Sequence, residues 1–134
     1  MSQSKSDIEE SAIFKPQFEK RGGLLPVVVQ ESSTGDILMI ASVNKEALNH
    51  TIKEKKATFW STSRNEIWVK GETSGNTIWV DDILIDCDQD ALIYKVTLEG
   101  DGVCHTKNQN GVHRKSCFYR RFDKNSEQLK FLEK

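Results

Sequence analysis

Apolar residues along this chain fall into short blocks, and turn-forming residues separate them. The blocks are rich in Val, Ile and aromatic side chains, and most are too short for helices, which is the pattern of strands. The spacing predicts a strand over residues 24–30, its start marked by Pro26, and a second over 37–42. Residues 32–36 between them carry a Ser-Ser-Thr-Gly-Asp turn signal, so the two form a hairpin. The period then changes. Asn44 reads as a helix N-cap, and Ala47, Leu48 and Ile52 recur at helical spacing, predicting one helix to about Lys55. Strands resume over 57–61, 67–70, 77–85 and 91–99, with a glycine-containing loop over 71–76 and a turn at Asp101-Gly102. Short strands over 103–105 and 117–122 flank a polar stretch rich in Lys and Asn. Ser126 reads as the cap of a short C-terminal helix over 126–132.

This pattern gives an α+β, mostly β fold: a compact sheet or barrel-like domain with one main helix. Residues 1–21, polar and irregular, read as a flexible N-terminal extension. The folded domain spans 22–124, and 125–134 carry the short helix. A chain of 134 residues suits one domain. It buries roughly two-thirds of the surface its unfolded chain exposes, so folding needs no disulfide framework. The formal net charge of −1 gives no general pull toward nucleic acid or an anionic membrane. No apolar run approaches the roughly 18 residues of a membrane span. The first ten residues lack the apolar core of a secretory signal, which points to the cytoplasm. Thiols stay reduced there, and an odd set of three cysteines argues for metal binding or reactivity over structural disulfides.

Candidate chemistry lies in three places. Asp86, Asp88 and Asp90 alternate with Cys87 and Gln89 after the apolar strand ending at Ile85. In an extended chain the carboxylates share one face and Cys87 takes the other. Converging carboxylates repel, so the pattern fits a solvated acidic turn or a site for a hard cation such as Mg²⁺, Mn²⁺ or Ca²⁺. An EF-hand is excluded, because Ala91 and Thr97 stand where that loop needs Gly and Glu. Cys87, Cys104 and Cys117 lie on or beside strands, as small core residues or as thiolate ligands for zinc. Three thiols leave one position of a tetrahedral zinc open to water, the pattern of catalytic sites. His105, next to Cys104, is a packed or surface histidine or a proton-transfer group. Third, Trp60, Ser63 and Arg64 together with Lys70, Ser74 and Asn76 supply aromatic, hydroxyl and cationic groups of the kind that cradle phosphate. Lys107, His113, Arg114, Lys115, Arg120 and Arg121 form a second basic region, a solvated face or an anion contact.

Read in order, these segments resemble the phosphoribosyl-AMP cyclohydrolase family from about Gly23 to Phe122. The carriers are Gly23-Leu24-Leu25-Pro26 with Val29-Gln30, Asn44-Lys45-Glu46-Ala47-Leu48, and Phe59-Trp60-Ser61-Thr62-Ser63-Arg64. They continue through Trp68-Val69-Lys70-Gly71-Glu72-Thr73-Ser74-Gly75-Asn76, Asp86-Cys87-Asp88-Gln89-Asp90, Cys104-His105-Thr106 and Ser116-Cys117-Phe118-Tyr119-Arg120. The resemblance implies an enzyme of histidine biosynthesis that opens the adenine ring of phosphoribosyl-AMP. It implies zinc at Cys87, Cys104 and Cys117, the first from one subunit and the other two from its partner. It also implies magnesium at Asp86, Asp88 and Asp90, and an intertwined homodimer with two active sites at the interface. A zinc-activated hydroxide then attacks C6 and the N1–C6 bond breaks, with His105 carrying protons. Trp60, Ser63, Arg64, Lys70, Ser74 and Asn76 are the expected substrate contacts.

Two departures stand out. Residues 107–115 make a longer link between the downstream cysteines than the family usually has, which brings Lys107 and Arg114 forward as alternative basic contacts. Thr62 stands in place of an arginine. At this length the chain has no room for the pyrophosphohydrolase domain fused to some relatives. A nucleotide- or metal-binding module without turnover, a thiol redox sensor and an RNA-binding β domain share parts of the pattern. The near-zero net charge weighs against the last.

Overall fold

The structure is a computed structural model, and it describes residues 5–134. After a short helix α1 (Lys5–Glu9) and a 3₁₀ turn (Glu19–Arg21) come β1 (Leu25–Glu31) and β2 (Ile37–Val43), helix α2 (Lys45–Glu54), β3 (Thr58–Ser61) and β4 (Glu66–Val69). Strands β5 (Ile78–Ile85), β6 (Leu92–Leu98), β7 (Arg120–Asp123) and β8 (Gln128–Phe131) follow. One four-stranded sheet has the order β2-β1-β6-β5, and β3-β4 and β7-β8 are separate two-stranded ribbons. Within the sheet β1 runs antiparallel to β2 and parallel to β6, and β5 pairs antiparallel with β6. The sheets are open, so the fold is α+β as expected but without barrel closure.

Strand alternation sorts the sheet into two faces. Leu25, Val27 and Val29 of β1, Met39 and Val43 of β2, and Leu92, Tyr94 and Val96 of β6 are buried on the inner face. Phe59 of β3 packs on Tyr94 with ring centroids 6.1 Å apart, and Ala47 and Leu48 of α2 complete the core. Each fully buried large side chain of this kind contributes roughly 1.5–3 kcal/mol. The outer face is different. Ile40, Val28, Ile93 and Leu84 pair in register across all four strands, forming an apolar row. Ile40 at its end on β2 is 58% exposed and Leu84 at its end on β5 is 42% exposed.

Helix α2 starts as its sequence dictates. The Asn44 side chain accepts a hydrogen bond from the Ala47 N–H at 2.8 Å, and the helix ends at Lys55 in a left-handed conformation (φ 62°). Two sequence expectations fail. Residues 126–132 form no helix; β8 pairs antiparallel with β7 instead. The Asp123 carboxylate accepts from both the Ser126 N–H (3.1 Å) and its hydroxyl (2.7 Å), and Glu127 is left-handed (φ 57°), so Ser126 closes a hairpin turn. Residues 103–105 form no regular strand either, although Val103 and Cys104 donate backbone hydrogen bonds to Lys115 and Arg114, each at 3.1 Å.

Within residues 1–21, Met1 to Ser4 lie outside the described residues. The segment that follows is tied to the domain. Gln89 accepts from the Lys15 N–H (2.7 Å) with its side-chain oxygen and donates to the carbonyls of Ile8 (2.9 Å) and Ile13 (3.0 Å). Ile8, Ile13 and Lys15 are thus hydrogen-bonded to the turn between β5 and β6 through Gln89.

Buried Thr51 links α2 to β3. Its hydroxyl accepts from the Thr58 N–H at 3.0 Å and has the carbonyls of Ala47 (3.1 Å) and Thr58 (3.2 Å) in reach as acceptors. Thr51→Val keeps the shape but leaves the Thr58 N–H without a partner. Urea unfolding is expected to show a loss of about 1–3 kcal/mol with an unchanged m-value.

Candidate active site

The acidic residues converge, but not by strand alternation. Strand β5 ends at Ile85, and residues 86–91 form the tight turn into β6. The Asp86 N–H donates to the Ala91 carbonyl and the Gln89 N–H to the Asp86 carbonyl, both at 3.1 Å. The Asp86 carboxylate accepts from the backbone N–H groups of Asp90 (2.9 Å) and Ala91 (3.0 Å). Gln89 takes the left-handed conformation (φ 55°) that closes the turn. This curl, rather than an extended face, brings one carboxylate oxygen each of Asp86, Asp88 and Asp90 within 4.8 Å of one another. No other group of three or more His, Cys, Asp or Glu side chains meets that spacing among the described residues.

Two cations offset part of the turn's charge. Lys20 Nζ lies 3.0 Å from Asp88 and 2.9 Å from Asp90, and Arg21 Nη2 lies 3.1 Å from Asp90. The bond from Lys20 holds the Asp90 carboxyl down at about 2, against the opposing effect of burial. Desolvation pushes Asp86 the other way, above the usual carboxylate range.

Cys104 and Cys117 form a second cluster on the opposite side of the sheet. Cys117 follows Ser116, whose hydroxyl donates to the Ile37 carbonyl at 2.7 Å, and the Cys117 N–H donates to Leu38 of β2 at 2.7 Å. Gly102 allows residues 102–104 to approach residues 114–115 closely, since a Cβ there would collide with the Arg114 carbonyl. The two thiols lie close enough to shift one another's titration. The Thr106 hydroxyl lies 2.9 Å from the Cys104 sulfur. Burial pushes the Cys104 thiol up, but the hydrogen bonds from Thr106 and Cys117 and the Arg114 guanidinium outweigh it and bring it below its ordinary value. Cys117 is pushed up to about 11, by desolvation of its sulfur and then by the charge of Cys104. Lys70 sits beside both thiols and 5.2 Å over the Trp68 ring, and its burial there lowers its pKa.

The C-terminal hairpin braces this cluster. The Arg114 guanidinium stacks 4.1 Å over Tyr119 and 5.6 Å from Phe131, and its Nε donates to the Glu133 carbonyl at 3.0 Å. The long link of residues 107–115 is thereby folded back: Lys107 and His113 form a bridge, and Asn108 accepts from the N–H groups of Asn110 and Val112. Arg114 is thus engaged within the fold, while Lys107 is exposed. His105 is exposed beside Cys104.

Cys87 is not part of that cluster. It is exposed, in the turn after β5, and lines a cavity of about 370 Å³ with Asp86, Ile85, Ile8, Ile13 and Phe14. Of the remaining expected contacts, Trp60 is half-buried on β3, and Ser63 and Arg64 lie exposed in the turn to β4, Arg64 being 3.6 Å from Glu66. Ser74 and Asn76 lie in the loop after Gly71, where a Cβ would strike the Asn76 backbone and where φ is 83°. Sequence reasoning missed Lys20, Arg21, Gln89 and Thr106. Thr106 directly follows the Cys-His pair and was within view; the other three act through contacts distant in sequence that no local pattern reveals.

Comparisons with known proteins are consistent with one another. The family model for phosphoribosyl-AMP cyclohydrolase matches residues 39–119. A phosphoribosyl-AMP cyclohydrolase of Chlorobaculum tepidum is 54% identical over 115 residues, covering 86% of this chain and 78% of that protein. One from Chlorobium phaeovibrioides is 50% identical over 114 residues, covering 85% of this chain and 77% of that protein. One from Hyphomonas neptunium is 47% identical over 115 residues, covering 86% of this chain and 82% of that protein.

The acidic turn makes stability depend on pH in a defined direction. Asp90 titrates at about 2 when folded and near the ordinary carboxylate value of about 3.9 when unfolded. Below the latter the unfolded chain binds the proton first, so this contribution is fully present above about pH 4 and is lost as pH falls toward about 2. Asp90→Asn is expected to flatten the acid limb of a stability-versus-pH curve in chelator-treated protein; an unchanged limb would contradict the assignment.

Proposed function

The chain belongs to the phosphoribosyl-AMP cyclohydrolase family, and from that premise we propose that it hydrolyses phosphoribosyl-AMP, opening the adenine ring between N1 and C6 in histidine biosynthesis. The observation that carries the proposal is the distribution of thiols. Cys104 and Cys117 meet on the β2 side of the sheet beside Lys70, whereas Cys87 follows β5 at the far edge.

The donor sets fit two different metals. Thiolates suit zinc, and two of them lie close enough to shift one another's titration. A third comes from Cys87 of a second copy of the chain, which makes the enzyme a homodimer with two shared sites. The exposed apolar row of Ile40, Val28, Ile93 and Leu84 runs between the two edges and suits burial in that dimer. Three carboxylates within 4.8 Å suit a hard dication, here magnesium.

Bound zinc supplies Lewis acidity, activating water for attack at C6. His105, exposed next to Cys104, takes a proton from the attacking water and returns one to N1 as the N1–C6 bond breaks. Water thus adds OH at C6 and H at N1, the amino nitrogen stays on the carboxamide formed, and no ammonia leaves. Lys70 places a positive charge beside the thiolates and the substrate. Trp60 stacks on the base, while Ser63, Arg64, Ser74 and Asn76 contact phosphate and ribose. Asp86, Asp88 and Asp90 would hold magnesium, which when bound would supply positive charge for a substrate phosphate or order the site.

Complementation tests activity and shared ligation together. Cys87→Ser and Cys104→Ser are each expected to abolish ring opening, followed by absorbance, in zinc-loaded protein. Unfolded together and refolded as a mixture, they form heterodimers in which one of the two sites regains all three thiols. About one quarter of wild-type activity is expected back. No recovery from variants that dimerise and fold would contradict shared sites, and an inactive wild type would contradict the reaction.

A further inference from the structure

Lys20 stands on the oxygens that a metal would need. Its ammonium bridges Asp88 Oδ2 at 3.0 Å and Asp90 Oδ2 at 2.9 Å, and Asp90 is almost fully buried, its side chain only 4% exposed. A buried carboxylate is costly without a counter-charge, so this bridge stabilises the acidic turn when no divalent ion is present. Lys20 itself is half exposed and sits in a three-residue 3₁₀ turn, followed by Gly22 and Gly23, both at positive φ. The side chain is thus free to withdraw into solvent without disturbing the sheet. Arg21 holds Asp90 through the same oxygen, Oδ2, at 3.1 Å.

We propose that Lys20 is a tethered counter-cation: it holds the acidic turn in its convergent shape without metal, and a divalent ion must displace it to bind. The inference rests on the magnesium reading given above and adds a residue that tunes the affinity of that site. An ammonium and a dication cannot share two carboxylate oxygens without strong repulsion. The cost of displacing Lys20 therefore weakens the apparent metal affinity, while Lys20 shields the empty turn from carboxylate repulsion.

The test uses Mn²⁺ as a paramagnetic probe on full-length, metal-stripped protein, with free Mn²⁺ read by electron paramagnetic resonance at neutral pH. Lys20→Gln removes the competing charge and is expected to tighten Mn²⁺ roughly tenfold, the scale of breaking two partly exposed ion pairs. Lys20→Arg keeps the charge and is expected to stay near wild type. In chelator, Lys20→Gln is expected to melt below wild type, and added Mg²⁺ is expected to raise its midpoint further than it raises that of wild type. Equal or weaker Mn²⁺ binding by Lys20→Gln, with wild type binding normally, would overturn the role of Lys20 alone. Wild type that binds no Mn²⁺, with Asp90→Asn no different, would overturn the magnesium reading beneath it.

Discussion

The width of one sheet governs everything else in this molecule. Strands lie about 4.8 Å apart, so three steps from β2 to β5 span roughly 14 Å. Cys117 is tied by its backbone to Leu38 at the β2 edge, and Cys87 stands two residues beyond Ile85, the last of β5, at the other. A zinc–thiolate bond is about 2.3 Å long. No side-chain rotation closes such a gap, and the four-stranded hydrogen-bond ladder fixes it. The chain therefore holds Cys87 at one edge of the sheet and Cys117 at the other, a separation that the proposed sharing of a site between two chains would bridge.

Charge is handled differently at the two ends. Around Cys104 and Cys117 the compensating groups are Lys70, Thr106 and Arg114, and Arg114 is fixed in turn by stacking on Tyr119 and bonding to the Glu133 carbonyl. The C-terminal hairpin lies beyond the span that the family model matches, yet it braces the long link between the two cysteines. At the acidic turn the compensation comes from the other terminus, through Lys20 and Arg21, and Gln89 fastens the N-terminal segment over the same turn. Each cluster is thus supported by a chain end packed against a sheet edge.

Much of the fold was legible because local chemistry and tertiary packing agree. Asn44 caps α2 as its side chain and spacing require, and the valines of β1 alternate between core and outer face. The C-terminal helix was misread because Ser126 resembles a cap, whereas its side chain and N–H both turn to Asp123, three residues upstream. The convergence of Asp86, Asp88 and Asp90 was foreseen for the wrong reason. Alternation along a strand was expected, and a turn closed by left-handed Gln89 produces it instead. The separation of Cys87 from its two counterparts depends on strand order, which spacing along the chain does not encode. Lys20 carried no signal at all, since its partners lie 68 and 70 residues away in sequence.

A thiol set shared between two chains would tie zinc binding to dimerisation. Native mass spectrometry across a dilution series, with zinc counted in each species, tests it most directly. Shared ligation predicts one zinc per chain in dimers and metal-free monomers after dissociation. A monomer retaining stoichiometric zinc, lost on replacing any one of the three cysteines, would contradict it.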